Sequence, residues 1–109
     1  RLKEDIAPIP DALEKVKRIR GVTYRWNTEG RNYLRDDGRR HAGVLAQEIQ
    51  AVLPEAVDLA PFDRDNETGM SRTGQNYLTV QNERLVALLI EAVKELSAKV
   101  DRLEAEAKR

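Results

Sequence analysis

The sequence contains no cysteine, and this absence excludes a disulfide scaffold and any metal site built on thiolates. No apolar run approaches the roughly 18 residues that a transmembrane helix needs. The first residues, Arg1 to Asp5, do not begin as a signal peptide does. Neither sign of charge is in excess, because 19 Lys and Arg residues balance 19 Asp and Glu residues in a chain of 109. We therefore expect no membrane partner and no nucleic-acid partner.

Aromatic residues are also scarce, and the chain has only Tyr24, Trp26, Tyr33, Phe62 and Tyr77. Charged residues make up 35% of the sequence, and the mean hydropathy is −0.64. The length suits one domain, so residues 1–109 are interpreted as a single domain. A core built from so few rings is thin, and we expect part of the apolar surface to be buried between copies of the chain.

A first helix is predicted over residues 11–20, after a segment that Pro8 and Pro10 keep extended. Asp11 is placed as its N-cap, and Glu14 completes a capping box three positions later. Gly21 stands where a left-handed residue would end the helix.

Short strands and a second helix are predicted further along the chain. The strands are expected at residues 22–26, 41–45, 56–59 and 77–80. In the first of them, Val22, Tyr24 and Trp26 share one face of a half-buried strand. Apolar residues at helical spacing predict a helix over 45–53, and Asp37-Gly38 indicates a turn.

Residues 60–76 show no apolar period of either kind, which is unusual for so long a stretch in a compact domain. They are interpreted as an irregular arm of an α+β head that spans residues 1–81. Three alternatives stay open for this segment: a surface arm, a disordered insertion, or a loop that orders only against a partner.

The last 28 residues, 82–109, contain neither glycine nor proline and predict one long helix. Apolar residues recur there at alternating steps of three and four, which is a heptad pattern with valine at a and leucine at d. These predicted interface residues are Val86, Leu89, Val93, Leu96, Val100 and Leu103. Lys99 and Glu104 fall at g and e positions, where they attract one another across a parallel interface. Leu85, Ile90 and Ala92 widen the stripe, so the first half of the helix is also expected to pack on its own head.

Signals for metal or cofactor chemistry are weak. His41 is the only histidine, and no ligand spacing surrounds it. The run from Asp63 to Gly74 fails as a calcium loop, because its sixth position is not glycine and its twelfth is not glutamate. We expect no metal and no cofactor.

Several segments, in order, resemble the intramolecular chaperone auto-processing domain, which is the S74 peptidase family. They are Arg-Leu-Lys-Glu-Asp-Ile at 1–6, Gly-Val-Thr-Tyr-Arg-Trp at 21–26, His-Ala-Gly-Val-Leu-Ala-Gln-Glu at 41–48, Leu-Pro-Glu at 53–55, and the helix segment 84–96. Each segment alone is a weak match, whereas their common order spans nearly the whole chain.

The resemblance implies a domain at the C-terminal end of phage tail spikes, tail fibres or neck appendages. Such a domain forms a homotrimer through a parallel trimeric coiled coil of its long C-terminal helix. It assists folding of the upstream fibre domain of the same polypeptide, and then releases itself by serine–lysine autoproteolysis. The resemblance also implies a place of action, the host cell cytoplasm during virion assembly, and release from the mature fibre after cleavage.

The resemblance implies site residues as well. Lys3 matches the lysine that acts as general base. The nucleophilic serine lies five positions earlier, which is upstream of Arg1, so the chain as given is expected to be inactive by itself. His41 lies in a matching motif and is a second catalytic candidate, which would orient or shuttle a proton. The alternative is a non-catalytic coiled-coil oligomerisation module, and valine at a with leucine at d favours dimers.

Overall fold

The computed structural model describes residues 2–34 and 38–108. Short helices and strands alternate along the chain before one long C-terminal helix. The predicted α+β class with a long terminal helix is therefore confirmed. The Asp37 half of the predicted Asp37-Gly38 turn lies outside the described residues.

The helices and strands have the following bounds. The α-helices are α1 (Ala12–Lys17), α2 (Thr28–Tyr33), α3 (Ala46–Val52) and α4 (Asn82–Ala107). The strands are β1 (Val22–Tyr24), β2 (His41–Gly43), β3 (Val57–Leu59) and β4 (Leu78–Val80), and 3₁₀ helices occupy Pro54–Ala56 and Pro61–Asp63. Within the described residues, no helix is both long and apolar enough to cross a bilayer.

The chain divides into two compact units. One unit combines the N-terminal residues Arg1–Arg18 with Asn82–Arg109, so α1 and α4 belong together although they are far apart in sequence. The other unit is the continuous stretch Ile19–Gln81, which holds the remaining helices and all the strands named above.

The unit of α1 and α4 depends on packing between the two helices. α1 lies along α4, and Ala12 in its first turn is fully buried. On α4, Leu88 and Ala92 are buried and share one face of the helix because they are four residues apart. A helix of six residues is too short to be stable alone in water, so α1 owes its stability to this packing.

The predicted ends of the first helix are wrong at both termini. Asp11 adopts a left-handed conformation with φ of 51°, and its side chain makes no capping bond. Glu14 bonds to Lys17 at 3.3 Å instead of closing a capping box. At the other end the helix stops at Lys17, and Arg18 follows with a right-handed φ of −92°, so Gly21 plays no part in ending it. The helix is capped from elsewhere in the fold, which no local pattern could reveal.

The second unit is built around α3. Ile49, Val52 and Leu53 are buried, together with Ala56 and Ala60 further along the chain. α3 packs against β3 and β4, which pair antiparallel with Val57 opposite Val80 and Leu59 opposite Leu78. The apolar stripe of the predicted helix therefore faces this core, as its spacing requires.

A separate antiparallel pair joins β1 and β2, with Tyr24 opposite His41. Along the chain, α2 lies between these two strands, and the sequence pattern does not predict it because its residues show no apolar stripe. The side chain of Asn27 starts this helix by accepting a 2.7 Å bond from the Gly30 amide. All the predicted strands are present, although each is only three residues long.

Candidate functional site

Lys3 lies in the segment that leads into α1 and is exposed, as are most residues of that segment. Two large apolar neighbours, Leu2 and Ile6, are exposed as well. This segment belongs to the unit of α1 and α4, whereas His41 belongs to the other unit. The catalytic roles of Lys3 and His41 stay predictions.

His41 is held by a cluster of rings on the β1–β2 pair. It stacks on Tyr24, its cross-strand neighbour, with ring centroids 5.6 Å apart and planes at 27°. Trp26 lies 5.6 Å from the imidazole and meets Tyr24 edge-on at 5.0 Å. Gly43 lies beside the Tyr24 ring, and a Cβ there would be in ordinary van der Waals contact with it at 3.4 Å. Tyr24 and Trp26 share one face of the strand, as predicted, and their two rings hold the imidazole in a defined orientation.

The predicted interface residues of α4 face solvent in the single chain. Each of the six is between 42% and 62% exposed. They are Val86, Leu89, Val93, Leu96, Val100 and Leu103. The face that is buried is a different one, marked by Leu88 and Ala92. Ile90, which was expected to help the helix pack on its head, is 54% exposed. α4 therefore carries one buried face and one long apolar stripe in water.

Glu95 lies further along the buried side of α4, and it caps α1. Its carboxylate accepts hydrogen bonds from the backbone amides of Ala12 at 2.8 Å and Leu13 at 3.0 Å. These amides belong to the first turn of α1 and have no partner inside the helix. Sequence reasoning missed this residue because 83 positions separate Glu95 from Ala12.

A buried carboxylate organises the segment that was interpreted as an irregular arm. Asp63 is fully buried and accepts bonds from the Ser71 hydroxyl, the Thr73 amide, the Thr73 hydroxyl and the Tyr77 amide at 2.8–2.9 Å. Its backbone carbonyl accepts a further hydrogen bond from the backbone amide of Arg72 at 2.6 Å. The loop is thus ordered by its own residues, and the signal for it is the scatter of Ser and Thr donors after Asp63.

These bonds also set the ionisation of Asp63. Burial alone would raise the pKa of the Asp63 carboxyl, but hydrogen bonds from Thr73, Ser71 and Arg72 outweigh burial and lower the pKa below its ordinary value. Asp65 begins a tight turn in the same loop, where amides of Glu67 and Thr68 donate to its carboxylate at 2.8 and 3.1 Å. These two bonds lower the pKa of Asp65 as well.

A second ring cluster consists of Tyr33, Phe62 and Tyr77, with centroids 4.8–5.6 Å apart. The Tyr77 hydroxyl donates to the carboxylate of Glu29 on α2. The cluster therefore links α2 to both ends of the loop that Asp63 organises. In residues 2–34 and 38–108, no three His, Asp or Glu side chains are grouped so as to hold a metal ion.

The sequence is similar to known proteins along most of its length. The family described as the chaperone of endosialidase, peptidase S74, matches residues 1–58. The long tail fiber protein Gp37 of Enterobacteria phage K3 is 42% identical over 105 residues, which are 95% of this chain and 7% of that protein. The Gp37 protein of Enterobacteria phage T2 matches to the same extent. Myelin gene regulatory factor-like A of Dictyostelium discoideum is 32% identical over 111 residues, or 95% of this chain and 11% of that protein.

The fold and the solvent-facing stripe define a small α+β module that ends in a helix with an unburied apolar face. The chain belongs to the chaperone of endosialidase family. It spans only about 7% of the length of the phage K3 and T2 relatives that it matches.

The ionisation of Asp63 predicts a loss of stability in acid. A carboxyl whose pKa is lowered by folding stabilises the fold fully above the ordinary pKa of about 3.8, and this contribution disappears as the pH falls through the lower folded pKa. Asp63→Asn should lower the midpoint of thermal unfolding at pH 7, and its difference from the unchanged chain should shrink below about pH 4. Thermal unfolding followed by circular dichroism between pH 7 and pH 2 measures both.

The matched control is Asp101→Asn, which removes an exposed carboxylate on α4. This variant should retain the acid-side loss of stability seen in the unchanged chain. A difference between Asp63→Asn and the unchanged chain that stays constant over the whole pH range would contradict the role given to the ionised carboxylate.

Proposed function

We propose that the chain is a C-terminal intramolecular chaperone, which trimerises, assists folding of an upstream phage fibre or tailspike, and is then released by serine–lysine autoproteolysis. The observation that carries the proposal is the exposed heptad stripe of α4 in a member of this family. The tail fibre relatives support a role in virion assembly, which would take place in the host cytoplasm, before the domain leaves the mature fibre.

Association is favoured by the apolar area that the stripe leaves in water. Full burial of a valine or leucine side chain contributes about 1.5–3 kcal/mol. Six such side chains per chain are half exposed, and a parallel coiled-coil interface between copies, here called the seam, would bury all of them at once. In that seam Lys99 and Glu104 of neighbouring chains attract one another.

A parallel trimer of α4 explains how such a domain assists folding. A β-rich fibre has many contacts between distant residues and exposed strand edges until its three chains are aligned. Holding three chains in register raises the effective concentration of the segments attached to them. The fibre strands then pair with one another instead of with unrelated edges.

Self-cleavage follows from the role proposed for Lys3. The hydroxyl of a serine five positions before Lys3 attacks the carbonyl carbon of the preceding residue, and Lys3 takes the hydroxyl proton. The amide C–N bond breaks, the serine amine receives the proton, and water then hydrolyses the ester. His41 is proposed to orient or relay the proton.

Assembly would control this reaction. A lysine acts as a base only when it is neutral, and burial or nearby positive charge favours the neutral form. Lys3 is exposed in the single chain, so a neighbouring subunit of the trimer would have to cover it. Cleavage would then wait until three chains have associated.

The second candidate is a non-catalytic coiled-coil module with an α+β head. It is favoured by valine at a and leucine at d, a combination that prefers dimers. The mass of the chain in solution separates the two candidates.

The coiled-coil proposal predicts that Leu96→Glu disrupts association. The substitution would place one carboxylate per chain in an apolar seam, and the burial of unpaired charge is costly. Light scattering should give the mass of three chains for the unchanged protein and of one chain for the variant. Ala98→Glu is the matched control, because residue 98 is exposed at the outer f position of the heptad and this variant should keep the trimer. If the Leu96→Glu variant keeps the mass of three chains, the proposed coiled-coil interface is contradicted.

The cleavage proposal predicts that Lys3→Ala stops self-cutting. The test uses a precursor that carries the residues upstream of Arg1 and a preceding fibre segment. Loss of a general base should slow cleavage by roughly 10²–10⁴-fold, measured by gel electrophoresis and by mass spectrometry of the new termini. Lys3→Arg should be equally slow because a guanidinium does not give up its proton.

Lys17→Ala is the control for general effects of removing an exposed lysine, since Lys17 is exposed and its ammonium donates to the nearby Glu14 carboxylate. It should cut at the rate of the unchanged precursor. Cleavage of the Lys3→Ala precursor at that same rate would show that Lys3 is not the base.

A further inference from the structure

The contact between Glu95 and α1 joins two parts of the chain that serve different steps of the proposed function. Both carboxylate oxygens are engaged, one by the Ala12 amide at 2.8 Å and the other by the Leu13 amide at 3.0 Å. The contact is partly buried, which strengthens a charged hydrogen bond relative to one in water.

No local residue provides this cap. The residue in the N-cap position, Asp11, has a left-handed backbone, and its side chain makes no capping bond. The side chain of Glu14, in the first turn, bonds forward to Lys17. A helix of six residues has little stability of its own, so its position is determined by Glu95 and by the burial of Ala12.

The segment that carries Lys3 ends at this cap. Lys3 lies nine positions before Ala12 (12 − 3 = 9), and Pro8 and Pro10 restrict the backbone between them. A restricted segment that is fixed at its base samples less space than a free one. Glu95 therefore limits where Lys3 can lie relative to α4.

Glu95 remains available when α4 associates. With Val93 at a and Leu96 at d, Glu95 falls at the c position, which is outside the seam. Its bonds to α1 are consequently compatible with the burial of the heptad stripe. The same helix would bury its a and d residues against other copies and hold α1 with its c position.

We infer that Glu95 is a positioning residue, which couples the alignment of α4 in the trimer to the placement of the Lys3 segment for cleavage. This inference rests on the proposed function, because it assigns to Glu95 a part in the reaction that Lys3 performs. Glu95 acts through α1 and touches no reacting atom.

The experiment uses the trimeric precursor with its upstream residues, and compares Glu95→Ala and Glu95→Gln with the unchanged protein. Three quantities are measured: the mass by light scattering, the hydrogen exchange of the Ala12 and Leu13 amides, and the rate constant of self-cleavage. Asp101→Ala is the matched control, since it removes an exposed carboxylate from the same helix at a b position. It should change none of the three.

Glu95→Ala should keep the trimer mass, expose the two amides to exchange, and slow cleavage by roughly 10- to 100-fold, as expected when a reacting group is misplaced. Glu95→Gln should recover part of the rate, because its single carbonyl oxygen can accept one of the two bonds. A merely structural contact would change stability without this graded effect on cleavage in an intact trimer.

The outcomes that overturn the inference are distinct from those that overturn the proposed function. Unchanged cleavage in a trimeric Glu95→Ala protein with exposed amides overturns the positioning role alone. Loss of the trimer in both Glu95 variants also overturns it, because Glu95 would then act in assembly. If the Lys3→Ala precursor cuts at the normal rate, the proposed reaction itself fails and the inference fails with it.

Discussion

The long helix α4 has two apolar faces, and the stability of the structure depends on how each of them is buried. α4 buries Leu88 and Ala92 within the chain and leaves six valines and leucines of its heptad stripe half exposed. One apolar face of a helix can be buried against its own chain, but a second apolar stripe of this length in water favours association with other copies. The N-terminal helix α1 packs on the first face. It is held there by the Glu95 carboxylate that caps it and by the burial of Ala12, because so short a helix is not stable alone.

The two units contain different features of the chain. The helical unit holds the heptad stripe, the Glu95 cap and the Lys3 segment. The other unit is stabilised by a small core around Ile49 and by the buried Asp63 carboxylate, which replaces regular structure in a polar loop. The five aromatic residues lie in two ring clusters, one of which is completed by His41. With so few rings in its interior, the chain leaves apolar surface in water, and this surface is available for the association proposed above.

Local patterns predicted most of the fold, whereas long-range contacts could not be predicted. The heptad spacing, the alternation around Tyr24 and the stripe of α3 gave elements that the structure confirms. The capping box of Asp11 was wrong because a carboxylate 84 positions away (95 − 11 = 84) caps the helix. α2 was missed because a side-chain cap starts it without an apolar stripe. The family resemblance supplied Lys3 and His41, which no pattern in the residues singled out.

Distances between spin labels show whether α4 associates in parallel and in register, as proposed. The chain lacks cysteine, so Ala98→Cys and Ala105→Cys each give one site per chain for a nitroxide label. In a parallel trimer, pulsed electron paramagnetic resonance should give the same single distance at both sites, with the modulation of three coupled spins. In an antiparallel pair, labels at residue 105 would lie roughly 30 Å apart along the helix axis and those at residue 98 about 10 Å apart. Such unequal distances, or the absence of dipolar coupling, would show that α4 does not form a parallel trimer.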